Sequence, residues 1–253
     1  MDRQIVISAK HLKKSFGKKE NLQTIYPDLN IDIYKGDFTV IMGSSGAGKS
    51  TLMYSLSGMD KPDDGQIDFD GTDITELNSD KLAVFRRRQC GFVFQQIYLI
   101  DNMSLMDNII TAGILTNKNR ENIKNRAKKL FSLVNIPETI WEKTPSQVSG
   151  GEAQRAGIVR AVINNPNVLF ADEPTGALNS ANGTAVLDVF SSLHEKEQSI
   201  VMVTHDKKSA LRGNRILYMK DGEIFGECNL GKYDPDNAQR TEKFEKFITE
   251  MGW

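Results

Sequence analysis

Residues 43–50 read GSSGAGKS, a glycine-rich run that closes on a lysine and a hydroxyl residue. The spacing G-x-x-x-x-G-K-[ST] suits one task, the binding of a polyphosphate. Gly43, Gly46 and Gly48 let the backbone wrap closely around phosphate oxygens. The successive N–H groups from Ser44, Ser45 and Ala47 to the helix start bind anions. Lys49 would place its ammonium between the β- and γ-phosphates of a nucleotide, and the Ser50 hydroxyl would ligate Mg²⁺; Thr51 follows directly.

A second stretch, LFADEPTGALNS at residues 169–180, puts two carboxylates side by side after an apolar run. A triphosphate hydrolase with such a loop needs an acid at the end of a neighbouring strand to hold Mg²⁺, directly or through water. Asp172 supplies it. Glu173, one position nearer the γ-phosphate, is suited to polarise an attacking water as general base. ATP and Mg²⁺ are the implied ligands. A third stretch, VSGGEAQR at residues 148–155, opens a helix with Ser149, Gly150 and Gly151, a second anion-binding N-terminus. One molecule cannot fold both around a single nucleotide if they sit in different subdomains, but a head-to-tail pair of chains can.

The elements that must hold these groups point to an α/β fold. Residues 38–42, FTVIM, read as a fully buried strand running into the glycine loop, and residues 51–57 are compatible with a helix. Ile5, Val6 and Ile7 form a short apolar strand, and Leu29, Ile31 and Ile33 alternate at period two. Ile67 and Phe69 alternate before Asp70-Gly71, a hairpin signal that recurs at Asp221-Gly222. Residues 168–171 and 200–204 read as parallel strands around a helix-like segment, 185–193. Residues 96–165 turn helical, with Ile123, Ala127, Leu130, Phe131 and Val134 on one face. The expected class is a P-loop core with a mixed or parallel sheet, an antiparallel β subdomain and an inserted α-helical subdomain. A single nucleotide-binding domain would cover 1–230 with the helical part at about 96–165. Residues 231–253 would add an extension whose Phe244, Phe247, Ile248 and Met251 make a short amphipathic helix.

Bulk properties narrow the partners. The chain has 253 residues, 39% apolar and 26% charged, with a net charge of −1. That balance lacks the basic excess of a nucleic-acid binder. No apolar stretch approaches the roughly 18–20 residues that span a bilayer, and the N-terminal MDRQIVISAK lacks a signal peptide's apolar core. Cys90 and Cys228 have no metal-ligand spacing and read as reduced thiols in a cytosolic protein.

Taken together and in order, KSFG, GSSGAGKST, GFVFQ, VSGGE, LFADEP and VTHD resemble the nucleotide-binding subunits of ABC transporters from about residue 5 to 228. The resemblance implies that Phe16 stacks on adenine and that Gln95 senses Mg²⁺ and the attacking water while linking the site to a membrane partner. It also implies that Ser149 and Gly151 donate to the γ-phosphate of ATP held by the opposite subunit, and that His205 is the switch histidine at that phosphate. His11 and His194 match nothing and read as surface residues.

Three positions depart from the family pattern. Val148 stands where leucine is usual, an apolar exchange expected to be neutral. Glu152 stands where glutamine is usual, adding a negative charge near bound triphosphate. Asn179 stands where the loop after the catalytic acid commonly has Asp; it keeps hydrogen bonding but loses charge, which implies slower hydrolysis with retained binding. The wording of FRRRQCGFVFQQIYLIDNMSLMDNI and ADEPTGALNS is similar to the group of macrolide exporters, lipoprotein-release complexes and antimicrobial-peptide resistance transporters, best to the bacitracin and lantibiotic resistance type. That implies work by mechanotransmission at the cytoplasmic face of the membrane. Partners would be a second copy, a separate permease gripped by residues 97–109, and a sensor kinase reached through the permease. In that segment Tyr98, Leu99 and Met103 suit a core as well as an interface. Arg86, Arg87 and Arg88 read as a solvated face.

A regulatory ATPase that signals to a membrane sensor or cell-wall hydrolase is the alternative from another class. A GTPase fits poorly, since TNKNR has arginine where the guanine-reading Asp would stand. A chromosome-maintenance ATPase would need a long coiled coil, and a stand-alone translation factor two tandem domains.

Overall fold

The computed structural model describes residues 3–18 and 21–253; Met1, Asp2, Lys19 and Glu20 lie outside the described residues. The chain divides into two compact units, Met1–Ala83 with Glu197–Trp253, and Val84–Lys196.

In the first unit β3 (Phe38–Met42) is buried at every residue. A strand apolar on both faces needs neighbours on both edges, and parallel pairing with β8 (Ser199–Val203) and β9 (Arg215–Lys220) supplies them. Antiparallel β10 (Glu223–Asn229) completes the order β10-β9-β3-β8. Asp221 and Gly222 turn this last hairpin with φ of 49° and 80°, the doubly positive pair of a type I′ turn. A separate antiparallel sheet runs β2 (Gln23–Tyr34), β1 (Ile5–Phe16), β4 (Asp64–Phe69), β5 (Thr72–Asp73). Leu29, Ile31 and Ile33 point to its buried side as their alternation requires. Asp70-Gly71 again makes the turn, at φ 50° and 80°.

Helix α1 (Lys49–Leu56) follows the glycine loop, and a single turn, α7 (Lys207–Ala210), follows β8. The C-terminal helix α8 (Ala238–Glu250) packs on its own unit: Phe244 and Ile248 are fully buried. Buried Arg240 donates to the carbonyls of Leu211 and Gly213, and a Cβ at Gly226 of β10 would stand 2.5 Å from Met251 Sδ. The apolar face read from the sequence is therefore covered within the chain.

In the second unit β6 (Cys90–Phe94) pairs in parallel with β7 (Val168–Asp172). Neither β6 nor α2 (Ser79–Gln89), which crosses the division along the chain, is among the elements expected from sequence; α2 buries none of its residues and so has no apolar stripe to read. Helices α3 (Leu105–Gly113), α4 (Arg120–Leu133), α5 (Gly150–Val162) and α6 (Ser180–His194) complete the unit. The α4 stripe is largely as read: Ile123, Ala127, Phe131 and Val134 are buried and Leu130 half-buried. Trp141 stacks on Phe131 at 5.5 Å and donates its indole N–H to the Ile136 carbonyl, so its burial leaves no orphan donor.

Candidate active site

Two adjacent parallel strands of the first unit, β3 and β8, each end in a candidate group. The carboxyl ends of such strands are where α/β sheets place ligands. From β3 the chain enters the glycine loop. Gly43 has φ 151°, and a Cβ there would lie 2.1 Å from the Met219 carbonyl oxygen, so no other residue fits. Gly48, at φ 94°, starts α1, which carries no acid in its first turn and leaves the positive end of its dipole for an anion. Lys49 is 8% exposed; its ammonium donates to the Gly43 and Ser44 carbonyls, both at 2.8 Å, and so lies inside the loop. Ser44, Ser45 and Gly46 are exposed along the rim.

From β8 the chain passes buried Thr204, whose hydroxyl accepts from the Asp206 N–H at 3.0 Å, and this turn leaves His205 exposed. Phe16 ends β1 and is 46% exposed, an aromatic face left uncovered at a strand end. The Lys14 ammonium lies 5.1 Å from the Phe16 ring centroid, anchored by Asp60 at 2.8 Å and the Lys61 carbonyl at 2.7 Å. A purine stacked on Phe16 would meet a ring already held from one side.

The second unit repeats the device. Phe94 of β6 and Asp172 of β7 are register partners, so Gln95 and Glu173 leave adjacent parallel strands at the same level. Glu173 has φ 44°, a left-handed conformation that costs a non-glycine residue about 1 kcal/mol or more. The Gly176 N–H closes this turn on the Glu173 carbonyl at 3.0 Å. Gln95 is exposed, and a Cβ on Gly176 would come within 3.0 Å of its Nε2, so the Gln95 side chain lies over the turn that carries Glu173.

Ser149 caps α5 in a complete capping box. Glu152 Oε2 accepts both the Ser149 N–H and its Oγ–H at 2.7 Å, while Oγ accepts the Glu152 N–H at 3.3 Å. The backbone N–H of Ser149 foremost, then its hydroxyl, holds the Glu152 carboxyl below the usual carboxylate range. A group so depressed stabilises the fold above the ordinary carboxylate pKa, and that contribution fades as pH falls through its lowered value. A hydroxyl has one proton. While Glu152 takes it, Ser149 has none for a phosphate, so Glu152→Gln is expected to tighten ATP-driven association about fivefold, the worth of exchanging a charge-assisted bond for a neutral one. Titrating ATP while following molecular mass by light scattering measures this; an unmoved midpoint would confine Glu152 to capping.

Asn179 caps α6, its side chain accepting the Asn182 N–H at 3.0 Å. Asn and Asp cap equally well. Asn179→Asp should therefore leave thermal stability within about 0.5 kcal/mol, so a rise in turnover would report chemistry and not folding. Equal turnover removes the tuning role.

Sequence reasoning missed the residues that fix these loops. Gln154, 2% exposed on α5, donates to the Phe94 carbonyl at 3.0 Å and the Pro174 carbonyl at 2.9 Å. Arg160 donates to the carbonyls of Ile97 and Tyr98. Asn108, 3% exposed, donates to the Ile100, Met103 and Ser104 carbonyls and accepts the Ile100 N–H. For Gln154 and Asn108 the available signal was an amide within a helix beside an apolar residue, Ala153 and Ile109 respectively. In the segment so clamped, Leu99 is 9% exposed while Tyr98, Ile100 and Met103 are 63%, 48% and 37% exposed, separating core from surface.

Ser50 in the first unit and Asp172 and Gln95 in the second each offer an oxygen, the donor type that Mg²⁺ prefers. Among the described residues no group of three or more His, Cys, Asp or Glu could hold a metal ion by itself. Oxygen donors of this kind fit a Mg²⁺ that takes its remaining ligands from substrate phosphates and water.

Comparison with known proteins matches residues 26–176 to the family described as ABC transporter. The bacitracin export ATP-binding protein BceA of Halalkalibacterium halodurans is 38% identical over 227 residues, 89% of this chain and 89% of the relative. The macrolide export ATP-binding/permease protein MacB of Aggregatibacter actinomycetemcomitans is 38% identical over 222 residues, and the matched part is 34% of that protein's length. The dimeric post-hydrolysis structure of the ATP-binding cassette MJ0796 bound to ADP and Pi superposes with a TM-score of 0.81 at 34% identity, covering 88% of this chain and 98% of that one.

Proposed function

The chain belongs to the ABC transporter family as one of its ATP-hydrolysing ATP-binding subunits, and from that premise we propose that two copies close head to tail around two ATP to drive a separate membrane permease. Each ATP rests on the residue 43–50 loop and Phe16 of one copy and meets Ser149 and Gly151 of the other. Asp172, Ser50 and Gln95 would hold Mg²⁺, whose chemistry there would be to neutralise charge on the phosphates. Glu173 takes the proton of the attacking water, and His205 contacts the γ-phosphate. One nucleotide-binding domain over 1–230 carries this machinery, and 231–253 extends it.

The observation that supports pairing most is the exposure of Ser149 and Gly150 at the start of α5. The N-terminus of α5 faces solvent there, with the Ser149 N–H and hydroxyl held by Glu152, so a triphosphate brought by a second chain would compete with that carboxylate for them. Mixing two inactive variants tests it. Ser149→Phe and Lys49→Met chains should each be silent, yet mixed in equal amounts recover about a quarter of wild-type turnover. Half of the dimers are then heterodimers, and each of these holds one intact composite site of two. No recovery would place both groups in one chain's own site.

The finer reading is a subunit of an antimicrobial-peptide resistance complex working at the cytoplasmic face of the membrane. The near end-to-end match to a bacitracin export ATP-binding protein supports it. So does the apolar cluster of Tyr98, Ile100 and Met103, held out by Arg160 and Asn108 as a rigid surface for a permease. Among the described residues no helix is long and apolar enough to cross a membrane.

A further inference from the structure

One buried side chain serves both catalytic loops of the second unit. Gln154 lies at a position of α5 flanked by buried Ala153, Gly157 and Ile158, where an apolar residue would pack without needing partners. Burying an amide there costs free energy unless it is hydrogen-bonded. Its two amide hydrogens go to two carbonyls distant in sequence: Phe94, immediately before Gln95, and Pro174, immediately after Glu173.

We infer that Gln154 is a positioning residue that ties the Gln95 loop to the Glu173 loop, so that the two groups handling the attacking water move as one. The inference rests on the roles proposed above for Gln95 and Glu173. Glu173 occupies a left-handed conformation that persists only if its surroundings hold it. The Gly176 N–H holds one side of that turn through the Glu173 carbonyl, and Gln154 holds the next carbonyl along. On the other strand the Phe94 carbonyl fixes where Gln95 leaves β6, and the Gln95 amide already lies against the Gly176 turn. A displacement of residues 97–104 by a docked partner would reach Phe94 through Gln95 and pass to Pro174 through a single amide. Gln154 touches neither nucleotide nor water; it acts through the backbone on either side of the groups that do.

The test is Gln154→Met, which keeps length and packing and removes both donors. Turnover per chain is expected to fall about 10- to 100-fold, the range that follows from misplacing a reacting group by about an ångström. The ATP dissociation constant and the binding stoichiometry should stay at wild-type values, because the phosphate loop belongs to the other unit. Unchanged turnover overturns the inference. A stoichiometry that falls in step with turnover also overturns it, by assigning Gln154 to folding. Gln154→Asn, which keeps the amide but reaches one carbonyl at most, serves if the Met variant precipitates, and the same two readings apply. Glu173→Gln, run alongside, separates the layers. If it is inactive while Gln154→Met is not, only the positioning role falls; if it keeps full turnover, the base assignment falls and takes this inference with it.

Discussion

Glu173→Gln is expected to lower ATP turnover by two to four orders of magnitude, the usual contribution of a positioned general base, while ATP binding is retained and the ATP-bound chain accumulates as a dimer. Gln matches Glu in size and keeps a hydrogen-bond acceptor, but it cannot take a proton at neutral pH. The substitution should also leave the backbone unchanged. The backbone at Glu173, with φ of 44°, is tied by the Gly176 N–H on the Glu173 carbonyl and by Gln154 on the Pro174 carbonyl, two bonds that the substitution keeps. Removing one charge from the proposed interface, where two triphosphates would lie, should favour the closed state. Steady-state phosphate release gives the rate, and light scattering with and without ATP gives the mass. Wild-type and variant chains that stay monomeric and hydrolyse equally would remove Glu173 from the base role and the pairing with it.

Lys49→Met should weaken ATP binding about 10- to 100-fold, which corresponds to losing one or two charge-assisted hydrogen bonds to phosphate. In the structure the ammonium already lies between two loop carbonyls at 2.8 Å, so the cation waits at its working position without having to be ordered by the ligand. Met keeps the aliphatic stem that packs in the nearly buried channel and deletes only the charge and its donors. The Gly43 and Ser44 carbonyls lose a partner, so a lower melting temperature is also expected. Calorimetric titration with ATP and with inorganic tripolyphosphate separates charge from base stacking: both should weaken alike if, as proposed, adenine rests on Phe16 and not on Lys49. Undiminished affinity for both would remove the lysine from the phosphate site.

Much of this was legible before any coordinates, and the legible parts share a physical cause. The glycine loop, the Asp-Gly hairpins and the buried β3 strand are specified by neighbours in sequence. Positive φ at Gly43 and Gly48, type I′ turns at 70–71 and 221–222 and a five-residue apolar strand are all local demands on residue type. Asp172 and Glu173 were readable because a strand end projects whatever follows it. Phe16, Gln95 and His205 were singled out by the order of motifs rather than by any local rule, whereas Ser149 was also marked by its place at a helix start. The capping role of Asn179 and the bond by which Glu152 occupies the Ser149 hydroxyl follow standard cap chemistry, yet the family pattern had drawn attention to their charge instead.

What only the tertiary structure decided depends on residues brought together from far along the chain. β6 is short, lacks alternation and follows three arginines, so nothing within it announces a strand; pairing with β7 makes it one. Tyr98 and Leu99 are adjacent and both apolar, yet one is 63% exposed and the other 9%, because α3 and α5 fix the path of that loop through Asn108 and Arg160. The sequence marks an amphipathic face on α8 but not what covers it; in the structure the contact with Gly226 and the buried Arg240 place it on the chain's own surface. Gln154 read as one polar letter after the Ser-Gly-Gly motif. Its importance comes from two carbonyls supplied by other strands, and the need of buried polar groups for partners can be met only after the chain has folded.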